Sequence, residues 1–217
     1  MNLHKTMIRV LPFAIACLFV FANTNAQVID KKAEEILEQL SGKIQDYKNM
    51  HIEFTYLMEN VAENIKESKT GSIYIQGDKF RLYIADQIII SDGKNVWTYF
   101  KNGNEVQINE VDADDENTPM KMLTGYNKNY RPKLIGEASK TGKLIQTIDL
   151  IPNTTQSFYK IRIEIDKAKN MIHSSTIYDK NGTTFSYNVD NFRENINIHP
   201  SRFAFRESDY PGVEVID

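Results

Sequence analysis

The chain has 217 residues, of which 26 are basic and 29 acidic, and its formal net charge at pH 7 is −3. No stripe of basic residues stands out, so the charge pattern excludes a typical nucleic-acid-binding surface. The sequence contains no phosphate-binding loop and no nucleophile elbow. The histidines His51, His173 and His199 lack metal-ligand spacing. We therefore expect no enzyme activity, no catalytic residue, no metal site and no cofactor.

The first 26 residues have the pattern of a secretory signal peptide. Lys5 and Arg9 precede an apolar run of 12 residues, 10–21, and small side chains lead to a cleavage site after Ala26. Such a run is too short to cross a bilayer, which takes roughly 20 apolar residues. We therefore predict export from the cytoplasm, with residues 27–217 as one mature domain.

Cleavage after Ala26 would remove Cys17, the only cysteine of the chain. The mature chain would then need no disulfide and would offer no thiol nucleophile. It would also lose two basic residues, so its net charge would be 24 − 29 = −5. An uncleaved membrane anchor, or a lipid anchor on Cys17, is the alternative interpretation of this segment.

A helix is the first element predicted after this segment. Asp30 can cap it, and apolar side chains recur at helical spacing: Ala33, Ile36, Leu37, Leu40, Ile44 and Tyr47. Alternating apolar and polar residues then predict about eleven strands, joined mostly by hairpin turns. These strands cover residues 52–58, 73–75, 80–84, 88–90, 96–100, 106–108, 132–137, 144–151, 158–166, 171–179 and 183–192.

A short helix interrupts the strands after an acidic loop. Thr118 is a good N-cap, Pro119 suits the first helical position, and Gly125 can end the helix. Beyond the last strand, we predict an irregular tail from Pro200 with a short helix around Phe203. Phe205 belongs to the same predicted tail cluster.

The acidic loop resembles the opening of a calcium-binding loop, because Asp112, Asp114 and Glu116 stand at alternate positions. That motif requires glycine at its sixth position and a bidentate glutamate at its twelfth. Asn117 and Leu123 occupy these positions here, so we interpret the segment as a solvated loop without calcium.

The predicted sheet has more apolar face than the helices can cover. Eleven strands spaced roughly 4.8 Å apart make a sheet about 50 Å wide. A helix is about 10 Å across and covers about two strands. The sheet must therefore curl. It can close into a barrel filled with side chains, or stay partly open with an apolar groove under a helical lid. The pattern leaves both alternatives open.

Aromatic residues occupy many strand positions: Phe54, Tyr56, Phe80, Trp97, Tyr99, Phe158, Phe185 and Tyr187. Their ordinary role is core packing. Lining a cavity for an acyl chain is the functional alternative, because apolar contact contributes roughly 0.8 kcal/mol per buried CH₂ without requiring direction. A chain of about 16 carbons would gain on the order of 10 kcal/mol before ordering costs.

Several segments, taken in order, resemble the LolA-type periplasmic lipoprotein carriers. The most specific is Ser91-Asp92-Gly93-Lys94-Asn95-Val96-Trp97-Thr98-Tyr99. Others are His51-Ile52-Glu53-Phe54-Thr55 after the first helix, Asn117-Thr118-Pro119 with Leu123 on the short helix, Phe203-Ala204-Phe205, and Pro211-Gly212-Val213-Glu214-Val215. The resemblance implies a mainly β fold with a helical lid: antiparallel strands in an incompletely closed barrel, its concave face covered by the N-terminal helix and a short mid-chain helix.

The resemblance also implies which residues bind the acyl chains of cargo. They are Leu40, Ile44, Met50, Ile52, Phe54, Phe80, Leu82 and Trp97, with Leu123 on the lid. One position departs from the family pattern. Many members have a basic residue followed by proline after the second strand, where this chain has Gln76-Gly77-Asp78, although Arg81 matches a common Phe-Arg pair. The arginine latch that closes an empty lid in the family is therefore in doubt here.

The function implied by the resemblance is that of a monomeric periplasmic carrier. Such carriers take acylated lipoproteins from an inner-membrane ABC transporter and deliver them to the outer membrane, through a receptor where one exists. An envelope sensor or interaction module on a similar fold, binding a protein partner by its edge strands or groove, is the alternative.

Overall fold

The computed structural model describes residues 30–111 and 118–216. The predicted signal peptide, its cleavage site and the calcium-like loop positions 112–117 lie outside the described residues. Within these ranges, no helix combines the length and the apolar character that crossing a bilayer would require.

The first helix, α1, spans Lys31–Gln45 as predicted, and Asp30 fixes where it begins. One carboxylate oxygen of Asp30 accepts from the Ala33 backbone N–H at 3.1 Å, and the other accepts from the Leu134 N–H at 2.8 Å. These backbone hydrogen bonds, that from Leu134 most of all, lower the pKa of Asp30. A single side chain therefore caps the helix and joins it to the sheet.

Twelve strands of the described ranges form one sheet, in the order β12-β6-β5-β4-β3-β2-β1-β11-β10-β9-β8-β7. Their bounds are β1 Met50–Asn60, β2 Ile65–Gln76, β3 Lys79–Ile84, β4 Gln87–Ser91, β5 Asn95–Phe100, β6 Glu105–Glu110, β7 Tyr130–Lys140, β8 Lys143–Pro152, β9 Phe158–Asp166, β10 Met171–Asp179, β11 Thr184–Glu194 and β12 Glu214–Ile216. Eleven of them correspond to the predicted strands. The twelfth is a three-residue strand parallel to β6, whereas the other pairs are antiparallel.

The sheet curls around α1. One buried cluster joins Leu37 and Leu40 of the helix to Ile75 of β2 and to Ile148 of β8. In a flat sheet these two strands would lie five strand spacings apart, about 24 Å. A helix about 10 Å wide cannot contact both unless the sheet bends around it. The outer strands β7 and β12 do not pair with each other, so the predicted incompletely closed barrel is confirmed.

The mid-chain helix forms where the sequence predicts it. Helix α2 spans Pro119–Thr124, with the Thr118 hydroxyl accepting from the Lys121 N–H and Gly125 at its C-terminal end. A further turn, α3 at Tyr126–Asn129, follows directly. The Ser41 hydroxyl of α1 donates to the Thr124 carbonyl at 3.2 Å, which ties the end of α2 to α1.

The C-terminal tail covers the convex face of the sheet over β3–β6. It contains two 3-10 helices, Pro200–Phe203 and Glu207–Asp209, and Phe203 is buried as predicted. Arg81 of β3 holds the tail in place. Its guanidinium donates to the Arg202 carbonyl at 3.1 Å and to the Tyr210 hydroxyl at 2.7 Å.

Candidate functional site

An apolar cavity of about 570 Å³ lies between the concave face of the sheet and the three helices. Its walls come from two groups of strands that the curl of the sheet brings to face each other. The apolar side chains from the strands are Met50, Ile52, Phe54, Ile73, Ile75, Leu82, Ile84, Leu150, Phe158, Ile161, Ile163, Met171, Ile172, Ile177, Val189 and Phe192. The concave face therefore keeps apolar surface that α1 leaves uncovered.

Exposure increases from the floor of the cavity to its rim. Met50 and Ile44 are fully buried at the floor, whereas Met122 on α2 has 54% of its surface exposed. Leu123 lies beside Met122 and lines the cavity. Because a helix of six residues carries little intrinsic stability, α2 depends on its caps and on its hydrogen bond to Ser41.

Phe54 forms part of the wall because its neighbour on β2 has no side chain. Phe54 of β1 is the cross-strand partner of Gly71, and a Cβ on Gly71 would lie 2.6 Å from the Phe54 ring and 2.9 Å from the Tyr83 carbonyl oxygen. Both distances are shorter than van der Waals contact allows. Gly71 therefore lets the Phe54 ring lie flat against the sheet and keeps the space above it open.

Apart from Lys121 of α2, the ionisable side chains of the wall are neutral tyrosines. Burial raises the pKa of Tyr126 at the start of α3 and the pKa of Tyr187 on β11, so both hydroxyls stay protonated at neutral pH. Tyr187 packs its ring 6.0 Å from that of Phe54 and 5.3 Å from that of Tyr56. This arrangement favours an apolar ligand over a charged one.

Six of the nine residues that the sequence analysis assigns to cargo binding line this cavity: Ile44, Met50, Ile52, Phe54, Leu82 and Leu123. Two others, Leu40 and Phe80, belong to the core cluster beside it. Trp97 lies on the opposite face. It pairs across the strands with Ile90, which pairs with Arg81, and its ring stacks on Phe205 of the tail at 6.4 Å.

The far wall of the cavity, formed by β9–β11, is absent from the predicted site residues. Phe158, Ile161, Ile177, Val189 and Phe192 contribute to it. The alternation of Ile161 with Lys160 and Arg162 indicates a strand with one apolar face. It does not show that this strand faces β1–β3 across the cavity, because that depends on how far the sheet curls.

At the position where many members of the family have a basic residue followed by proline, this chain has Gln76-Gly77-Asp78. Gln76 ends β2, and Gly77, with a φ of 57°, lies in the exposed turn between β2 and β3. Arg81 points away from the cavity and toward the tail. The Ser41 hydroxyl bond to the Thr124 carbonyl joins α1 to the end of α2, and Leu123 packs against the same buried cluster as α1.

The described residues contain no group of three or more His, Cys, Asp or Glu side chains that could hold a metal ion. The best-connected charged group faces away from the cavity, on the convex side. There Asp149 accepts from Arg162 at 2.7 Å and from Lys160 at 3.0 Å. Burial alone would raise the pKa of Asp149, but these hydrogen bonds outweigh it and lower the pKa below its ordinary value. The group stabilises the sheet.

Comparison with known proteins agrees with this architecture. The model of the family described as outer membrane lipoprotein carrier protein LolA matches residues 45–206, more than half of the chain. A protein from Chromobacterium violaceum named outer-membrane lipoprotein carrier protein is 25% identical over 182 residues, covering 82% of this chain and 85% of the relative. A protein of the same name from Nitrosospira multiformis is 21% identical over 184 residues, covering 82% and 86%.

A solved structure gives the same fold. The crystal structure of an uncharacterized conserved protein from Thermus thermophilus has a TM-score of 0.55 to this chain at 15% identity. The match covers 85% of this chain and 98% of that one. Because the family match spans most of the chain, including strands β1–β11 and helices α2 and α3, the chain belongs to the LolA family.

Proposed function

We propose that this protein is a periplasmic carrier that binds the acyl chains of lipoproteins in the cavity under α2. The observation that carries the proposal is the apolar cavity of about 570 Å³, lined from two facing groups of strands and partly covered by a short helix. Its volume lies within the range of about 300–1,000 Å³ that is typical of ligand sites.

The driving force would be non-directional. Each buried CH₂ contributes roughly 0.8 kcal/mol. Holding an acyl chain therefore requires no charged partner and no covalent step. Release requires only that α2 move, and the bond between Ser41 and Thr124 and the partly exposed Met122 and Leu123 are compatible with a lid of low local stability. Binding without catalysis is the activity that this arrangement favours.

The route we infer follows the names of the relatives, which are outer-membrane lipoprotein carriers. After export and cleavage of the signal peptide, the protein would accept acylated lipoproteins from an ABC transporter of the inner membrane. It would then deliver them to the outer membrane, through a receptor where one exists. It would work as a monomer, because a single cavity suffices to shield the lipid.

Displacement of a fluorescent fatty acid from delipidated protein tests the binding step. Leu82→Gln places a polar group in the cavity, and we expect at least tenfold weaker binding of the probe, about 1.4 kcal/mol. Ile88→Gln is the matched control. It changes a half-buried apolar residue that pairs with Tyr83 on the convex face, and it should leave affinity unchanged. Equal effects of both substitutions would contradict the proposed site.

Transport needs a separate experiment in the cell of origin. Deleting the gene should leave outer-membrane lipoproteins in the inner membrane, and the wild-type gene should restore their sorting where the Leu82→Gln variant does not. Normal sorting in the deletion strain, together with recovery of one non-acylated protein partner from the native complex, would instead favour an envelope interaction module.

A further inference from the structure

A second, polar recess of about 470 Å³ opens beside the apolar cavity. The two share four wall residues: Met171, Ile172, Val189 and Phe192. Tyr47, two residues beyond the end of α1, lies where they meet, with its hydroxyl 3.7 Å from the Met171 sulfur and its ring 5.8 Å from that of Phe192. A ligand with an apolar and a polar part could therefore occupy both spaces at once.

Positive charge gathers on one side of this recess. Lys43 projects from the last turn of α1, Lys143 begins β8, and Lys169 lies in the turn between β9 and β10. The Lys43 ammonium donates to the Lys169 carbonyl, which holds it against that turn. Asp166 also lines this side, and one of its carboxylate oxygens accepts from the Ala168 and Lys169 backbone N–H groups of the same turn.

Negative charge lies on the other side, on β11. Glu194 pairs across the strands with Met50, so its side chain is on the same face as the cavity wall. Glu194 and Tyr47 line the same recess, and the Glu194 carboxylate adds to the effect of burial in raising the pKa of Tyr47. Asp190 also lines the recess, and its carboxylate accepts from the hydroxyl of Thr55, on the opposite face of β1, at 2.8 Å.

These charges face the recess without neutralising one another. Among the ion pairs within 4.0 Å in the described ranges, none involves Lys43, Lys143, Lys169 or Glu194. A purely anionic group would meet the lysines and also the repulsion of Glu194 and Asp190. A group that carries both signs would satisfy both sides.

We propose that the recess binds the zwitterionic headgroup of a diacyl phospholipid, with its phosphate on the lysines and its primary ammonium on Glu194, while the acyl chains fill the adjoining cavity. The proposal rests on the acyl-chain binding of the proposed function, but not on lipoproteins being the cargo. It assigns a phosphatidylethanolamine-type lipid as a further ligand of the same site.

Displacement of the fluorescent fatty acid by three lipids with identical acyl chains tests the headgroup contribution. Phosphatidylethanolamine should displace the probe at about tenfold lower concentration than diacylglycerol or phosphatidylglycerol, because it alone engages both charged sides. Equal potency of phosphatidylethanolamine and diacylglycerol would overturn the proposal, and so would tighter binding of phosphatidylglycerol. Failure of all three lipids would count against the proposed function itself.

Variants assign the effect to the recess. In the triple variant Lys43→Gln, Lys143→Gln, Lys169→Gln, phosphatidylethanolamine should displace the probe no better than diacylglycerol does. The potency of diacylglycerol itself should not change. Exposed lysines at distant turns provide the matched control, Lys79→Gln, Lys94→Gln, Lys101→Gln, which should have no effect. If the recess variant no longer bound any of the three lipids, or if the control variant lost as much phosphatidylethanolamine affinity as the recess variant, the assignment would be contradicted.

Glu194→Gln separates the zwitterion from a simple anion. Removing this carboxylate should weaken the binding of phosphatidylethanolamine and strengthen the binding of phosphatidylglycerol, so that the two affinities become nearly equal. An unchanged preference would overturn the role of Glu194. The free headgroup, glycerophosphoethanolamine, should fail to bind at the same concentrations, whereas tight binding without acyl chains would show a site that is independent of the cavity and would also overturn the proposal.

Discussion

Both faces of the sheet carry apolar side chains, but different groups cover them. On the convex face, Ile90 is fully buried, and Trp97 stacks on Phe205 of the chain's own tail. On the concave face, α1 covers the floor, and a cavity of about 570 Å³ is left between Leu82 and Val189. The first face is complete without a ligand, and the second is not.

This difference separates stability from binding. Changes on the convex face should alter the free energy of unfolding and leave acyl-chain affinity alone. Changes on the concave face should alter affinity first, because a wall that borders empty space can accommodate a new side chain at low cost. Four substitutions, taken from the largest expected effect to the smallest, test this separation.

Arg81→Ala should have the largest effect, and it should act on stability only. It removes two hydrogen bonds between a charged group and the tail, at 3.1 and 2.7 Å, and we expect the free energy of unfolding to fall by about 3 kcal/mol. Urea unfolding measures this change. Arg206→Ala, which breaks the exposed pair with Asp209, should cost under about 0.5 kcal/mol.

Acyl-chain affinity of the Arg81→Ala variant is the second readout. If the two faces are independent, affinity for a fatty-acid probe stays within twofold of the wild type wherever the protein is folded. A parallel loss of affinity would show instead that the tail controls the shape of the cavity.

Gly71→Ala should affect both properties, since Gly71 lies directly under a cavity wall. The new methyl group would stand 2.6 Å from the Phe54 ring and force it into the cavity, at a cost of about 2 kcal/mol. Gly42→Ala is the control. Nothing lies within 4 Å of its Cβ, so it should stabilise α1 by about 0.5 kcal/mol.

The double variant Gly71→Ala, Phe54→Leu tests the cause. A smaller side chain leaves room for the methyl group, so the cost of Gly71→Ala should fall by more than about 1 kcal/mol in the Phe54→Leu background, a coupling typical of residues in contact. Additive effects would place the strain at the Tyr83 carbonyl instead, 2.9 Å from the same position.

Val189→Phe should reduce binding without unfolding the protein. Val189 borders the cavity from β11, and a ring at this position would occupy the space that an acyl chain needs. We expect about tenfold weaker probe binding, with the free energy of unfolding within about 1 kcal/mol of the wild type. Ile88→Phe, the same enlargement on the convex face, should leave probe binding unchanged.

The sequence predicts those features that depend on neighbouring residues. Thr118, Pro119 and Gly125 determine the ends of α2 locally, and the structure confirms all three roles. Alternation places Ile52 and Phe54 on one face of β1, and both line the cavity. These features require no knowledge of distant strands.

The features that the sequence leaves open depend on long-range pairing. Trp97 is on the convex face because its register through β4 and β3 aligns it with Arg81, and no local pattern fixes that register. The run Ile88-Ile89-Ile90 carries a further signal in the sequence. A continuous apolar run is consistent with a strand buried on both faces, and here the tail covers the second one. The far wall at Val189 likewise appears only once the sheet curls.

The smallest expected effect is a pH dependence of stability that arises on the convex face. His51 is 4% exposed, its Nδ1 lies 2.8 Å from the Arg193 guanidinium, and its ring stacks on Tyr74 at 4.0 Å. Burial lowers the pKa of His51 from 6.5, Arg193 and then Arg202 lower it further, and Glu53 at 3.8 Å only partly opposes them.

The unfolded chain therefore binds a proton at His51 at a higher pH than the folded chain does. As the pH falls below about 6.5, the unfolded state gains protons first, so the free energy of unfolding should decrease until the folded pKa is passed. His51→Phe keeps the stacking and cannot be protonated, so its urea midpoint should vary less between about pH 7 and about pH 5 than that of the wild type. The ratio of the two proteins' probe affinities should be the same at both pH values, since His51 and the cavity lie on opposite faces of β1. An unchanged pH slope in the variant would assign the effect to other groups.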